Sequence, residues 1–75
     1  MEKMNKNLLI SIMKLHGDTQ KDLAEFIGIS LQRFNAKLNQ KDGADFTRCE
    51  ILRIKEKYNL TSEQVNKIFF TNDVS

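Results

Sequence analysis

Two stretches of this chain carry a complete helix-start signal, and they constrain the fold more than any other feature. Thr47 and Glu50 stand three apart with Phe46 and Ile51 outside them; Thr61 and Gln64 repeat the spacing between Leu60 and Val65. In such a capping box the threonine hydroxyl accepts from the backbone N–H three residues on. The Glu or Gln side chain accepts in return from the threonine's own N–H, and the flanking apolar pair staples the first turn. The first signal predicts a helix from about Arg48 to Tyr58, with Ile51, Ile54 and Tyr58 inward and Leu52 flanking. The second predicts a helix from about Ser62 to Phe69 or Phe70, burying Val65, Ile68 and Phe69.

Weaker signals of the same kind divide the rest of the chain. A helix is expected from about Asn5 to His16, with Leu8, Ile12 and Leu15 on one stripe and Leu9 and Met13 beside it. Gly17 suits the left-handed stop after it. Thr19, answered by Asp22, starts a second helix with Leu23, Ala24 and Ile27 buried, and Gly28 ends it. Ser30 caps a third reaching about Gln40, stapled by Ile29 and Phe34. Lys41 to Asp45 reads as a polar turn containing Gly43. Thr71 to Ser75 has little to bury and reads as a loose tail after a domain over residues 1–70. With no proline, three glycines and no convincing period-two alternation, the fold class is all-α.

At 75 residues the chain makes one domain, close to the lower limit for a core without staples. A single cysteine excludes an internal disulfide. Together with the lack of a leader-like segment, it leads us to expect a reducing, cytoplasmic setting. No apolar run approaches the roughly 18 residues of a membrane span.

Net charge is only +2, but it is unevenly spread. Residues 1–41 hold seven Lys/Arg against four Asp/Glu, whereas residues 42–75 hold five against six. From Phe26 to Lys41 there is no acid, only Arg33, Lys37 and Lys41. A polyanion meets its most favourable field there. A solvated face with a chance imbalance explains the same pattern.

The segment from Gln20 to Asn39 resembles a helix-turn-helix motif. Ala24 is small where two helices cross closely, Gly28 permits the positive φ of the turn, and Ile29, Phe34 and Leu38 are apolar where the third helix packs. With five helices around it, the chain is similar to the phage repressor and Cro (XRE-like) family of lambda-repressor-like domains, all-helical proteins that bind operator DNA as dimers and control transcription. The resemblance implies a third helix lying in the major groove. It gives base-facing roles to Ser30, Leu31, Gln32, Asn35, Ala36 and Asn39, and a phosphate contact to Gln20 at the start of the second helix.

The side-chain chemistry agrees in part. Gln32 and Asn35 carry amides able to bond an adenine edge twice. Arg33 has the fork for guanine, but its motif position points more often along the backbone. Leu31 either touches a thymine methyl group or extends the Phe34–Leu38 stripe and packs. Lys37, Lys41 and Arg48 are candidate phosphate contacts, each with a merely solvated charge as the alternative. Phe26 either folds onto the first helix or is exposed for a partner; Phe70 poses the same choice, and the two together are a candidate dimer surface.

Cys49 reads better as a small packed thiol than as a reactive one. His16 has no companion ligand for a metal. No nucleophile–base pair, glycine-rich phosphate cradle or paired-cysteine site is found, so neither enzyme activity nor a cofactor is expected. The leading expectation is a sequence-specific regulator of double-stranded operator DNA, acting as a homodimer formed on DNA. The rival is a protein-interaction module, antitoxin-like or a regulatory adaptor, on the same scaffold. A nonspecific architectural DNA binder is disfavoured by the small positive excess.

Overall fold

A computed structural model describes residues 4–70 of the chain; the expected tail, 71–75, lies outside the described residues. Five α-helices follow one another: α1 (Lys6–Leu15), α2 (Gln20–Ile27), α3 (Leu31–Leu38), α4 (Arg48–Lys57) and α5 (Ser62–Phe69). A single 3-10 turn at Lys41–Gly43 separates α3 from α4, and no strand occurs among the described residues. The fold class is all-α.

Local chemistry sets the helix starts. The capping boxes at Thr19/Asp22, Thr47/Glu50 and Thr61/Gln64 are each formed in both directions, while Asn5 and Ser30 cap α1 and α3 with their side chains alone. The ends are as local. After α2, the Gly28 N–H donates to the Glu25 carbonyl at 3.2 Å and the Ile29 N–H to Ala24 at 3.0 Å, a Schellman closure. Gly28 takes φ +83°, which a side chain would resist even though nothing crowds the position.

One core unites the helices. Leu9, Leu23, Phe34, Ile54 and Ile68, one from each helix in turn, are fully buried. Phe46, from the loop before α4, stands edge-on to Phe34 (5.6 Å between ring centres) and to Phe69 (5.7 Å), so it joins α3 to α5. At the far side the Tyr58 hydroxyl donates to Asp18 at 2.8 Å and pins the α1–α2 turn to the end of α4.

Two expectations about packing need correction. Leu15 does not continue a buried stripe of α1: it is 84% exposed, while Leu9 and Met13 face the core and Leu8 and Ile12 lie at its margin. The helix stops at Leu15, where the backbone turns away through His16 and a positive-φ Gly17. Cys49 is exposed rather than packed, because Phe46 and Ile51 fill the core at that end of α4. Phe69 is buried with Val65 and Ile68, as their spacing predicts, and Phe70 stays open at the end of α5.

Candidate nucleic-acid interface

The turn of Gly28, Ile29 and Ser30 holds α3 against α2 and presents the first turn of α3 outward. Ile29 is half-buried against the core, and Phe34 and Leu38 anchor the inner face. Ser30, Leu31, Gln32 and Arg33 are all exposed, Asn35 and Ala36 are half-buried, and Asn39 is exposed at the helix end. The base-facing residues expected from the sequence therefore fall on one helix with an outward first turn.

Their hydrogen bonds divide them. Ser30 Oγ accepts from the Arg33 N–H at 3.1 Å, so it caps the helix but keeps its own proton to donate. Asn35 Nδ2 donates to the Leu31 carbonyl at 3.2 Å and Asn39 Nδ2 to the Asn35 carbonyl at 2.9 Å. Asn39 Oδ1 also accepts from Lys6 Nζ at 2.7 Å, so both ends of that amide are engaged within the protein. Gln32 makes no side-chain hydrogen bond among the described residues. It is the amide open to an incoming donor–acceptor pair.

Leu31 is 42% exposed: the Leu31–Phe34–Leu38 stripe enters the core only from Phe34 onward. Phe26 does not fold into the core either. It stays partly exposed, with the Lys57 ammonium 4.8 Å from its ring centre, a cation–π contact that the sequence spacing does not reveal.

The phosphate-contact set changes more. Lys37 does not belong to it. Its side chain is buried to 8% exposure, and its ammonium donates to both carboxylate oxygens of Glu50 at 2.8 Å. The residue stands on the side of α3 that meets α4, where a cation is tolerated only when paired. Arg33 and Lys41 remain exposed, and Lys6 joins them through Asn39. Lys6 is a further exposed cation brought beside the end of α3, one that sequence spacing does not reveal because its partner lies 33 positions away. Arg48 is exposed at the start of α4, and its side chain lines a groove between α4 and α5; no hydrogen bond or ion pair among the described residues ties it to α3.

Gln20 is half-buried at the first position of α2. Two residues on, hydrogen bonds from the Thr19 backbone and hydroxyl hold the Asp22 carboxyl below its ordinary value, so it is charged at neutral pH. A phosphate at the start of α2 would meet that carboxylate as well as the helix N–H groups, with Lys21 beside it as the offsetting charge.

Among the described residues no group of three or more His, Cys, Asp or Glu is placed to hold a metal ion, and no helix is long and apolar enough to cross a membrane. Compared with protein-family models, curated proteins and solved structures, the chain matches none.

Proposed function

We propose that this protein is a sequence-specific double-stranded DNA-binding transcriptional regulator of the phage repressor/Cro (XRE-like) type, with α2 and α3 as its helix-turn-helix and α3 as its reading helix. The observation that carries the reading is the outward first turn of α3, where Gln32 stands open beside exposed Arg33 and Leu31 on an acid-free stretch. At 1.5 Å per residue the eight residues of α3 span about 12 Å, comparable to the major-groove width of about 12 Å. Gln32 then reads a base edge, with Ser30, Leu31, Asn35 and Ala36 around it, and Arg33, Lys41, Lys6 and Gln20 serve phosphates.

One such helix reads only a few base pairs, so two copies on half-sites roughly 34 Å apart supply the specificity. The regulator works without catalysis and without a cofactor. Selection from random duplex DNA tests the reading: an enriched motif with two-fold symmetry and that spacing is expected. Failure to retain any duplex at low salt would sink it.

A second reading, a protein-interaction module of antitoxin-like or adaptor type, is favoured by one observation. With Lys37 internally paired, the outer face of α3 carries few cations, and two apolar side chains stand partly exposed, Leu31 on α3 and Phe26 on α2. Competition by unrelated duplex at about 150 mM salt separates specific binding from mere charge attraction.

A further inference from the structure

A second surface lies between α4 and α5, where a groove encloses about 490 Å³. Its floor is apolar, made by Phe46, Ile51 and Val65. Arg48, Leu52 and Lys55 form one wall, spaced i, i+4 and i+7 so that all three stand on one face of α4. The opposite wall is Ser62, Asn66 and Phe70. Leu52 and Phe70, one on each wall, leave about half their surface uncovered.

Among the described residues, the charge lining this groove has one sign. Arg48 and Lys55 stand roughly 10 Å apart along α4 at 1.5 Å per residue, and no described Asp or Glu lines the groove. Lys55 Nζ reaches Ser62 Oγ at 3.4 Å across the end where α4 turns into α5, and Arg48 makes no ion pair among the described residues.

We propose that the groove docks an acidic amphipathic helix of a partner protein, whose apolar face covers Leu52, Val65 and Phe70 and whose carboxylates, two turns apart, meet Arg48 and Lys55. Charge selects this occupant. A second copy arranged about a two-fold axis would press the same cationic wall against itself, and like charges brought together oppose association. A nucleic-acid duplex would set phosphates over an apolar floor that offers them no donor. The inference does not rest on the DNA reading, because the groove and the outer face of α3 share no residue.

The test titrates the isotope-labelled full chain with two synthetic helical peptides that share a Leu/Phe stripe. One carries Glu two turns apart on either side of the stripe, the other Lys. The acidic peptide should shift the amide signals of Leu52, Val65, Asn66 and Phe70. It should bind at least about tenfold tighter than the basic one at low ionic strength, an advantage that shrinks as salt is added. The double variant Arg48→Glu, Lys55→Glu should reverse the preference. Both positions lie outside the core; an acid at Arg48, in the first turn of α4, suits the helix dipole, whereas one at Lys55, in the last turn, opposes it, so the thermal melt of the double variant is checked alongside. Leu52→Asp, at an exposed position, gives a second variant that should abolish acidic-peptide binding with the thermal melt retained. Equal binding of the two peptides, or shifts confined to α1–α3, overturns the proposal. Concentration-dependent shifts of the same amides without peptide also overturn it, and assign the groove to a second copy.

Discussion

Lys37 of α3 donates to both carboxylate oxygens of Glu50 of α4, each at 2.8 Å, across the interface of the two helices. Glu50 Oε1 also accepts the Thr47 N–H at 2.9 Å and so closes the capping box that starts α4. One carboxylate therefore satisfies a buried ammonium and a helix terminus together. This arrangement takes the Lys37 ammonium off the exposed face of α3 and ties the end of α3 to the start of α4.

The two partners should respond unequally to removal. Glu50→Ala leaves the ammonium buried and unpaired and opens the cap, and is expected to cost about 3 kcal/mol. Lys37→Met replaces the pair's cation with a side chain that packs, while Glu50 keeps its bond to Thr47. The carboxylate left behind keeps that donor and a little solvent, so the cost should be smaller, about 1–2 kcal/mol. Urea unfolding of the two variants measures the difference, and equal losses would contradict the shared role of Glu50.

Acid should weaken the same contact. Burial pushes the Glu50 carboxyl up, but the hydrogen bonds from Lys37 and from the Thr47 backbone outweigh it and hold the carboxyl below its ordinary value. A carboxyl lowered in this way stabilises the fold above its unfolded value of about 4.3, and the contribution is lost as pH falls through the lower folded value. The urea midpoint should therefore drop further between pH 7 and roughly pH 3 in the natural chain than in Glu50→Gln. Parallel curves would show that the pair contributes nothing.

Tyr58 should titrate late. Burial, and then the hydrogen bond to Asp18 and its charge, push the phenol above its ordinary range. A proton held more tightly in the folded state stabilises it fully below the unfolded value of about 10, and that stabilisation fades as pH rises through the folded value. Tyr58 is the chain's one tyrosine, so its ultraviolet phenolate absorbance reports this site alone. Asp18→Asn keeps an acceptor but removes the negative charge, and should bring the phenolate signal to lower pH.

On a selected DNA site, Gln32→Ala should cost about 1–3 kcal/mol and relax preference at one base pair. Lys41→Ala should weaken all duplexes alike and flatten the salt dependence. Lys37→Met, by contrast, should leave the salt slope where it was, because that ammonium is already neutralised by Glu50. Fluorescence anisotropy at several salt concentrations distinguishes the three. A flattened slope in Lys37→Met would return that residue to the phosphate set.

What the sequence determined by itself is the set of helices and where each begins. Asn5, Thr19, Ser30, Thr47 and Thr61 each cap through an N–H three residues away, and Gly28 closes α2 through carbonyls four residues back or fewer, so the forces at work sit within one turn of chain. The alignment of the candidate reading residues on a single helix follows from that. Which of those residues stay open was decided only by tertiary structure. Lys37 meets Glu50 13 positions on, Lys6 meets Asn39 across 33, and Asp18 meets Tyr58 across 40. The exposure of Leu15 and Cys49 and the groove between α4 and α5 likewise depend on how helices face one another. Apolar periodicity names a stripe on one helix, but not the neighbour that covers it, and a lysine within that period reads as solvated until the partner helix brings its carboxylate.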